Sequence, residues 1–139
     1  GWDAVAGERV EVAVDGESAW LLGDRPVDVD ESSPSDPVVR LLPAYDTYLL
    51  GYVPENRPIP AAFRNRVWPG GGVIRPTVVV DGRVVGTWSL DRSRTTAVVS
   101  VDRFDPGASS AAVDRDLEAE VDDVGRFLDC DVEYRHVGD

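Results

Sequence analysis

The chain has 139 residues, of which 14 are basic, 26 acidic and one histidine, for a formal net charge of −12. That length suits one domain with a sizeable core, and no apolar run approaches the ~18 residues a membrane-spanning helix needs. With 42% hydrophobic residues, one Cys and no basic-then-apolar N-terminal segment, the composition argues against wholesale disorder, a membrane span and a secreted disulfide framework, and a cytoplasmic location is expected.

Every basic residue is Arg, Asp outnumbers Glu by 18 to 8, and there is no Met. The missing start residue and the Gly1-Trp2 opening lead us to expect a domain belonging to a longer protein. The acidity has two readings. A partner that is an anion normally meets a basic face, so −12 argues against nucleic acid at ordinary salt. In a very salty cytoplasm the Debye length falls to about 3 Å at 1 M, and net charge no longer discriminates. Asp-rich, Lys-free usage favours this halophilic reading. Cys130 lies between Asp129 and Asp131, whose charge blunts a thiolate, so a structural thiol is expected.

Residues 9–14 alternate Val10, Val12 and Val14 with Glu11 and Ala13. Asp15-Gly16 supplies a two-residue turn, and residues 18–22 return as the second arm of a hairpin. Residues 23–37 hold Asp28, Asp30, Glu31, Asp36 and three prolines among short polar residues. An acidic linker or loop is therefore expected between a 1–22 hairpin and a 38–139 core. Residues 38–42 form a short buried strand candidate stopped by Pro43, and residues 44–52 are rich in tyrosine, at Tyr45, Tyr48 and Tyr52. A short helix over 60–67 begins at a proline and ends at Trp68-Pro69-Gly70-Gly71-Gly72. Residues 77–80, an Asp81-Gly82 turn and residues 83–90 make a second hairpin, and 95–101 is a third β segment pairing with its return.

Over 110–128 the period changes. Val113, Leu117, Val121, Val124 and Leu128 recur every three or four positions, the stripe of an amphipathic helix. Asp114, Asp116, Glu118 and Glu120 crowd its first turns, where the helix dipole favours negative charge, and Ser109 or Ser110 can cap it. Residues 131–137 end the chain as a strand. The pattern predicts an α+β domain: an antiparallel, strongly curved sheet or small β-barrel with a short helix and a long C-terminal helix.

Chemistry-bearing motifs are sparse. One His and one Cys cannot assemble a zinc set, and pairs such as Asp28/Asp30 or Asp122/Asp123 lack the spacing of a Ca²⁺ loop, so no metal or cofactor is expected. No nucleophile-elbow sequence accompanies His136. Gly70-Gly71-Gly72 follows a helix and precedes a strand, the reverse of a phosphate loop, and reads as a turn allowing close backbone approach.

The segment 40–88 carries more. Leu41-Leu42-Pro43 leads through Tyr45 to Asp46. Tyr48-Leu49-Leu50-Gly51-Tyr52, a basic helix over 60–67, Pro69 to Gly72 and a hairpin ending in Gly86-Thr87-Trp88 come next. This order resembles the C-terminal part of winged-helix DNA-binding domain-containing proteins grouped with crosslink-repair DNA glycosylases. The resemblance implies tandem winged helices upstream, a β-barrel-like C-terminal domain, DNA as partner, and a short Gln-containing catalytic motif in the winged-helix region. This sequence contains no Gln. The resemblance therefore supplies no catalytic residue here, and the expected role is a non-catalytic domain that supports upstream winged helices.

The residues themselves suggest where DNA would touch. Arg57, Arg64, Arg66 and Arg75 cluster within an acidic chain, and Arg83 follows the Asp81-Gly82 tip, a candidate groove probe. Guanidinium groups hold phosphate bidentately, and Tyr48 or its neighbours offer stacking surfaces. Against this stands a structural reading, in which Arg40 and Arg75 pair with Asp46 and the aromatic rings are packing. A ligand- or protein-binding barrel, with Tyr45, Tyr48, Tyr52 and Trp68 lining an apolar pocket, is the alternative from another class.

Overall fold

The computed structural model describes residues 2–14, 16–23, 36–51, 58–93 and 95–137. They fall into two compact units, Gly1–Ser35 and Asp36–Asp139. The first contains a short helical turn and an antiparallel hairpin of β1 (Arg9–Val14) and β2 (Glu17–Leu22), in the register Val14↔Glu17. Arg9 sits over the Trp20 ring, its guanidinium carbon 4.7 Å from the centroid. The expected acidic linker lies almost wholly outside the described residues.

The second unit is a five-stranded sheet in the order β3 (Val39–Leu42), β4 (Thr77–Val80), β5 (Arg83–Arg92), β6 (Thr96–Arg103) and β7 (Asp131–His136). The first three ladders are antiparallel, but β6 and β7 run parallel. This corrects the all-antiparallel expectation. The 18-residue helix α3 (Ala111–Leu128) carries the chain back to the start of β6, and such a crossover joins parallel neighbours. The barrel expectation is also overturned. Among the described residues the sheet is open, with β3 and β7 at its two borders and no ladder between them.

Helix α3 begins where Ser110 accepts a hydrogen bond from the Val113 amide, and ends at Asp129 in the left-handed region (φ 52°). Its apolar stripe, Val113, Leu117 and Val121, packs on Val39, Val78, Val80, Val85, Val99 and Val101 on one face of the sheet. The opposite face carries a second cluster, in which Leu49, Ile59, Val67 and Ile74 pack against Val79, Val84 and Phe104. With apolar layers on both sides, β4 is buried at all four positions. This is why Thr77-Val78-Val79-Val80 shows no polar alternation. Two one-turn helices build the second layer: α1 (Thr47–Leu50), capped by Asp46, and α2 (Arg64–Val67), entered through a turn at Ala61–Phe63.

The β3 edge is sealed from α3. The Glu120 carboxylate accepts from the Leu41 amide and from Arg40 Nη1, each at 3.1 Å, and the same guanidinium donates to the Val39 carbonyl at 2.6 Å. Arg40 therefore pairs with Glu120, while Asp46 Oδ1 accepts from the Tyr48 amide at 2.8 Å, so the expected pairing of Arg40 with Asp46 does not form.

Candidate nucleic-acid interface

Of the basic residues singled out from the sequence, Arg64, Arg66 and Arg75 lie on the sheet side opposite α3, whereas Arg83, paired with Val80 in the β4–β5 ladder, starts on the α3 side. Arg64 and Arg66 stand two positions apart on α2, so their side chains leave the helix in different directions. The Arg64 guanidinium carbon lies 5.2 Å from the Trp68 ring centroid and that of Arg66 5.1 Å from the Phe104 ring. Phe104 is itself held, its ring 4.6 Å from that of Phe63 in the second cluster. Each such contact contributes about 0.5–1 kcal/mol at an exposed site and restricts an otherwise mobile side chain. Arg66 Nη2 also faces Asp102 Oδ2 at 3.9 Å, an ion pair too long for a direct hydrogen bond.

Arg75 reaches the same region by a turn. Gly70, Gly71 and Gly72 all have positive φ (106°, 62° and 75°), which L side chains avoid, and no atom lies within 4 Å of a Cβ placed on any of them. Backbone conformation requires these glycines, and among the described residues of this chain no side chain crowds the turn. The Arg75 amide then donates to the Val67 carbonyl at 3.0 Å, fixing Arg75 beside the end of α2. Arg75 and Asp102 line a groove of about 350 Å³ together with the hydroxyl residues Thr87, Ser89 and Ser100 of β5 and β6.

Arg83 opens β5 at the tip of the second hairpin. Asp81 and Gly82 both adopt positive φ there (48° and 79°), the backbone of a two-residue turn that matches strand twist. The tip is braced: Tyr48 Oη donates to the Gly82 carbonyl at 2.7 Å, and the Val38 amide donates to Asp81 Oδ1 at 2.9 Å. Tyr48 packs its ring against the second cluster with its hydroxyl engaged. Trp88 is likewise structural, its indole N–H donating to the Leu42 carbonyl at 2.8 Å. Arg57 and Tyr52 lie outside the described residues.

Charge pairing separates these arginines. Arg40, Arg66, Arg103, Arg115, Arg126 and Arg135 each face a carboxylate. Among the described residues Arg75 and Arg83 have no acidic partner, in a chain where acids outnumber bases by 26 to 14. The expected Arg75–Asp46 pair is absent. Asp102 and Phe104, which position Arg66, carried no signal in the sequence, because only the folding of β6 beneath α2 brings them there. A larger recess of about 880 Å³ at the C-terminal end of α3 mixes Arg92 and Arg126 with Asp122, Asp129 and Asp131. Arg92 there donates to the Leu128 carbonyl, and the recess gathers charges of both signs without a preferred one. Among the described residues no three His, Cys, Asp or Glu side chains are grouped to hold a metal ion, and no helix is long and apolar enough to cross a membrane.

Fold and site together define an open α+β sheet domain with a half-covered face bearing arginines. A model of the family described as DNA glycosylase AlkZ-like matches residues 1–127, and the chain belongs to that family. Over 84 residues it is 37% identical to the interstrand DNA cross-link repair glycosylase of Streptomyces sahachiroi, an overlap covering 60% of this chain and 22% of that protein. The solved structure of Streptomyces sahachiroi DNA glycosylase AlkZ matches with a TM-score of 0.74 at 30% identity, over 98% of this chain and 35% of that one. The chain thus spans about a third of that relative's length.

Proposed function

We propose that this chain is a DNA-contacting, non-catalytic part of an AlkZ-like glycosylase, working beside tandem winged helices that lie upstream in the whole protein. Base excision in that protein takes place outside these 139 residues. This domain supports the winged helices and holds the DNA backbone through Arg64, Arg66, Arg75 and Arg83, with Arg57 as a further contact. Tyr48 serves by bracing the hairpin tip that presents Arg83. The observation that carries the reading is charge pairing: among the described residues Arg75 and Arg83 have no carboxylate partner, in a chain of net charge −12. Arginines without carboxylates are available for phosphate, which accepts from the guanidinium fork in the same way. The relative that is 37% identical over 84 residues is an interstrand DNA cross-link repair glycosylase, which points to DNA as the anion. The acidic remainder of the surface suits work at high salt, where long-range repulsion from DNA is screened. Against the pocket-lining alternative, Tyr48 and Trp68 pack on the second cluster and Tyr45 is exposed, while Tyr52 lies outside the described residues.

Fluorescence anisotropy with a short duplex, from low salt to molar KCl, tests the proposal. Binding that weakens linearly in log salt and falls at least tenfold in the Arg64→Glu/Arg66→Glu double variant supports it. A well-folded chain that binds no duplex at any salt overturns it.

A further inference from the structure

The groove between the 68–76 turn and strands β5 and β6 brings Arg75 together with a carboxylate and hydroxyls that the reading above does not use. Arg75 flanks it without an acidic partner among the described residues, and Arg66, outside the lining itself, faces the groove residue Asp102 with its guanidinium carbon 5.1 Å from the Phe104 ring centroid. The hydroxyls of Thr87, Ser89 and Ser100 face it with no side-chain hydrogen bond among the described residues, although Thr87 is only 9% exposed. Among the described residues the Arg75 guanidinium and three hydroxyls are therefore unengaged donors around one small concavity, with the ion-paired Arg66 beside it. In their midst stands a single carboxylate, Asp102, 3.9 Å from Arg66 and on the same groove wall as Arg75, with which it forms no ion pair.

We propose that this groove seats one backbone phosphate of the bound DNA and that Asp102 is a built-in competitor for it. The inference rests on the DNA-binding reading. A phosphodiester carries one negative charge and only acceptor oxygens, so it suits Arg66, Arg75 and the Ser and Thr hydroxyls, all of which serve as phosphate donors. It repels Asp102. Without DNA, the carboxylate holds Arg66 at the groove by charge alone, since 3.9 Å leaves the guanidinium hydrogens unshared. With DNA, the phosphate takes Arg66 over and Asp102 remains nearby as a penalty. The domain thus holds the backbone more weakly than its arginines permit. A protein that must leave its product gains from this.

The sign of the effect makes the proposal testable, because removing the acid strengthens binding. Asp102→Asn keeps the side-chain volume, and a carboxylate about 6 Å from a seated phosphate weakens binding by about three- to tenfold at low salt. In anisotropy with a duplex, Asp102→Asn is expected to bind about three- to tenfold tighter than wild type. Its log-affinity against log-salt slope is expected to steepen by up to about one unit. The gain should vanish when Arg75→Ala or Arg66→Ala is added. Asp122→Asn, on α3 across the sheet, makes the same change in net charge and should leave affinity within about twofold of wild type. Asp102→Ala, checked for folding by circular dichroism, repeats the test without the new amide. Equal gains in Asp102→Asn and Asp122→Asn would overturn the local competitor, as would an Asp102→Asn gain that survives loss of both arginines. Arginine-dependent binding that Asp102→Asn leaves unchanged or weakens would overturn this inference and leave the DNA reading standing. No binding by any variant would overturn both.

Discussion

Gly86 offers the sharpest test of how the sheet is packed. It sits in β5 opposite Arg103 of β6, beside the register shift between Val78 and Val79. A Cβ added there would lie 2.8 Å from the Asp102 carbonyl oxygen, 3.2 Å from the Arg103 Cα and 3.4 Å from the Asp102 carbonyl carbon. All three are backbone atoms of the neighbouring strand, so no side chain can swing aside, and relief requires β5 and β6 to part along a hydrogen-bonded ladder. Overpacking of this kind costs about 1–3 kcal/mol, and restricting the unfolded chain returns roughly 0.5 kcal/mol. Gly86→Ala is therefore expected to lose about 0.5–2.5 kcal/mol. With m-values of ~1–3 kcal/mol/M in urea, the midpoint falls by roughly 0.2–2.5 M. Gly7→Ala is the control: nothing lies within 4 Å of its Cβ and its φ is not positive, so it should be neutral or slightly stabilising. An unchanged urea midpoint for Gly86→Ala, followed by tryptophan fluorescence, would refute the steric argument.

Two further outcomes follow from side chains described above. Glu120→Ala removes the acceptor for the Leu41 amide and the partner of Arg40, and thermal unfolding should report a loss of about 1–3 kcal/mol. Glu120→Gln, which keeps an acceptor for the amide, should lose less. Tyr134 has its phenol pKa raised above 10.0, chiefly by burial, with Asp114 and Glu118 adding to the shift and Arg103 opposing it. The unfolded chain then releases this proton first, so stability is unaffected below about pH 10 and erodes as pH rises above it. Tyrosinate absorbance should show one tyrosine ionising later than in the Tyr134→Phe variant, and coincident titration curves would contradict the assignment.

Much of the second unit was legible in the sequence because its signals are local. The three-to-four spacing of Val113, Leu117 and Val121 located α3, and Asp81-Gly82 located the β4–β5 turn to the residue. The errors were of long range. A helix ending in a strand does not say which neighbour that strand joins, so the parallel β6–β7 pairing and the open sheet went unread. The succession of hairpins and the family resemblance suggested a curved sheet or barrel, but among the described residues the sheet stays open, and β4 is continuously apolar because layers cover both its faces. At the site, Arg64, Arg66 and Arg75 stood out as arginines in an acidic chain. Their placement did not: Phe104 and Asp102 lie some forty residues downstream, and the Tyr48–Gly82 hydrogen bond spans 34 positions.

The sealed margin of β3 has a consequence for how the molecule behaves in company. A valine-rich sheet with an open border invites another copy to add its own strand, and the outward Leu41 amide and Val39 carbonyl are where such recruitment would start. Both are already occupied by the two members of one ion pair, Glu120 and Arg40. At the opposite border β7 places Asp131, Glu133 and Arg135 at alternate positions, so an incoming apolar strand would meet charge at every second residue. The sheet is terminated on both sides by the same acidic and arginine-only alphabet that dominates the surface, and crowding in solution finds no template along which to polymerise it.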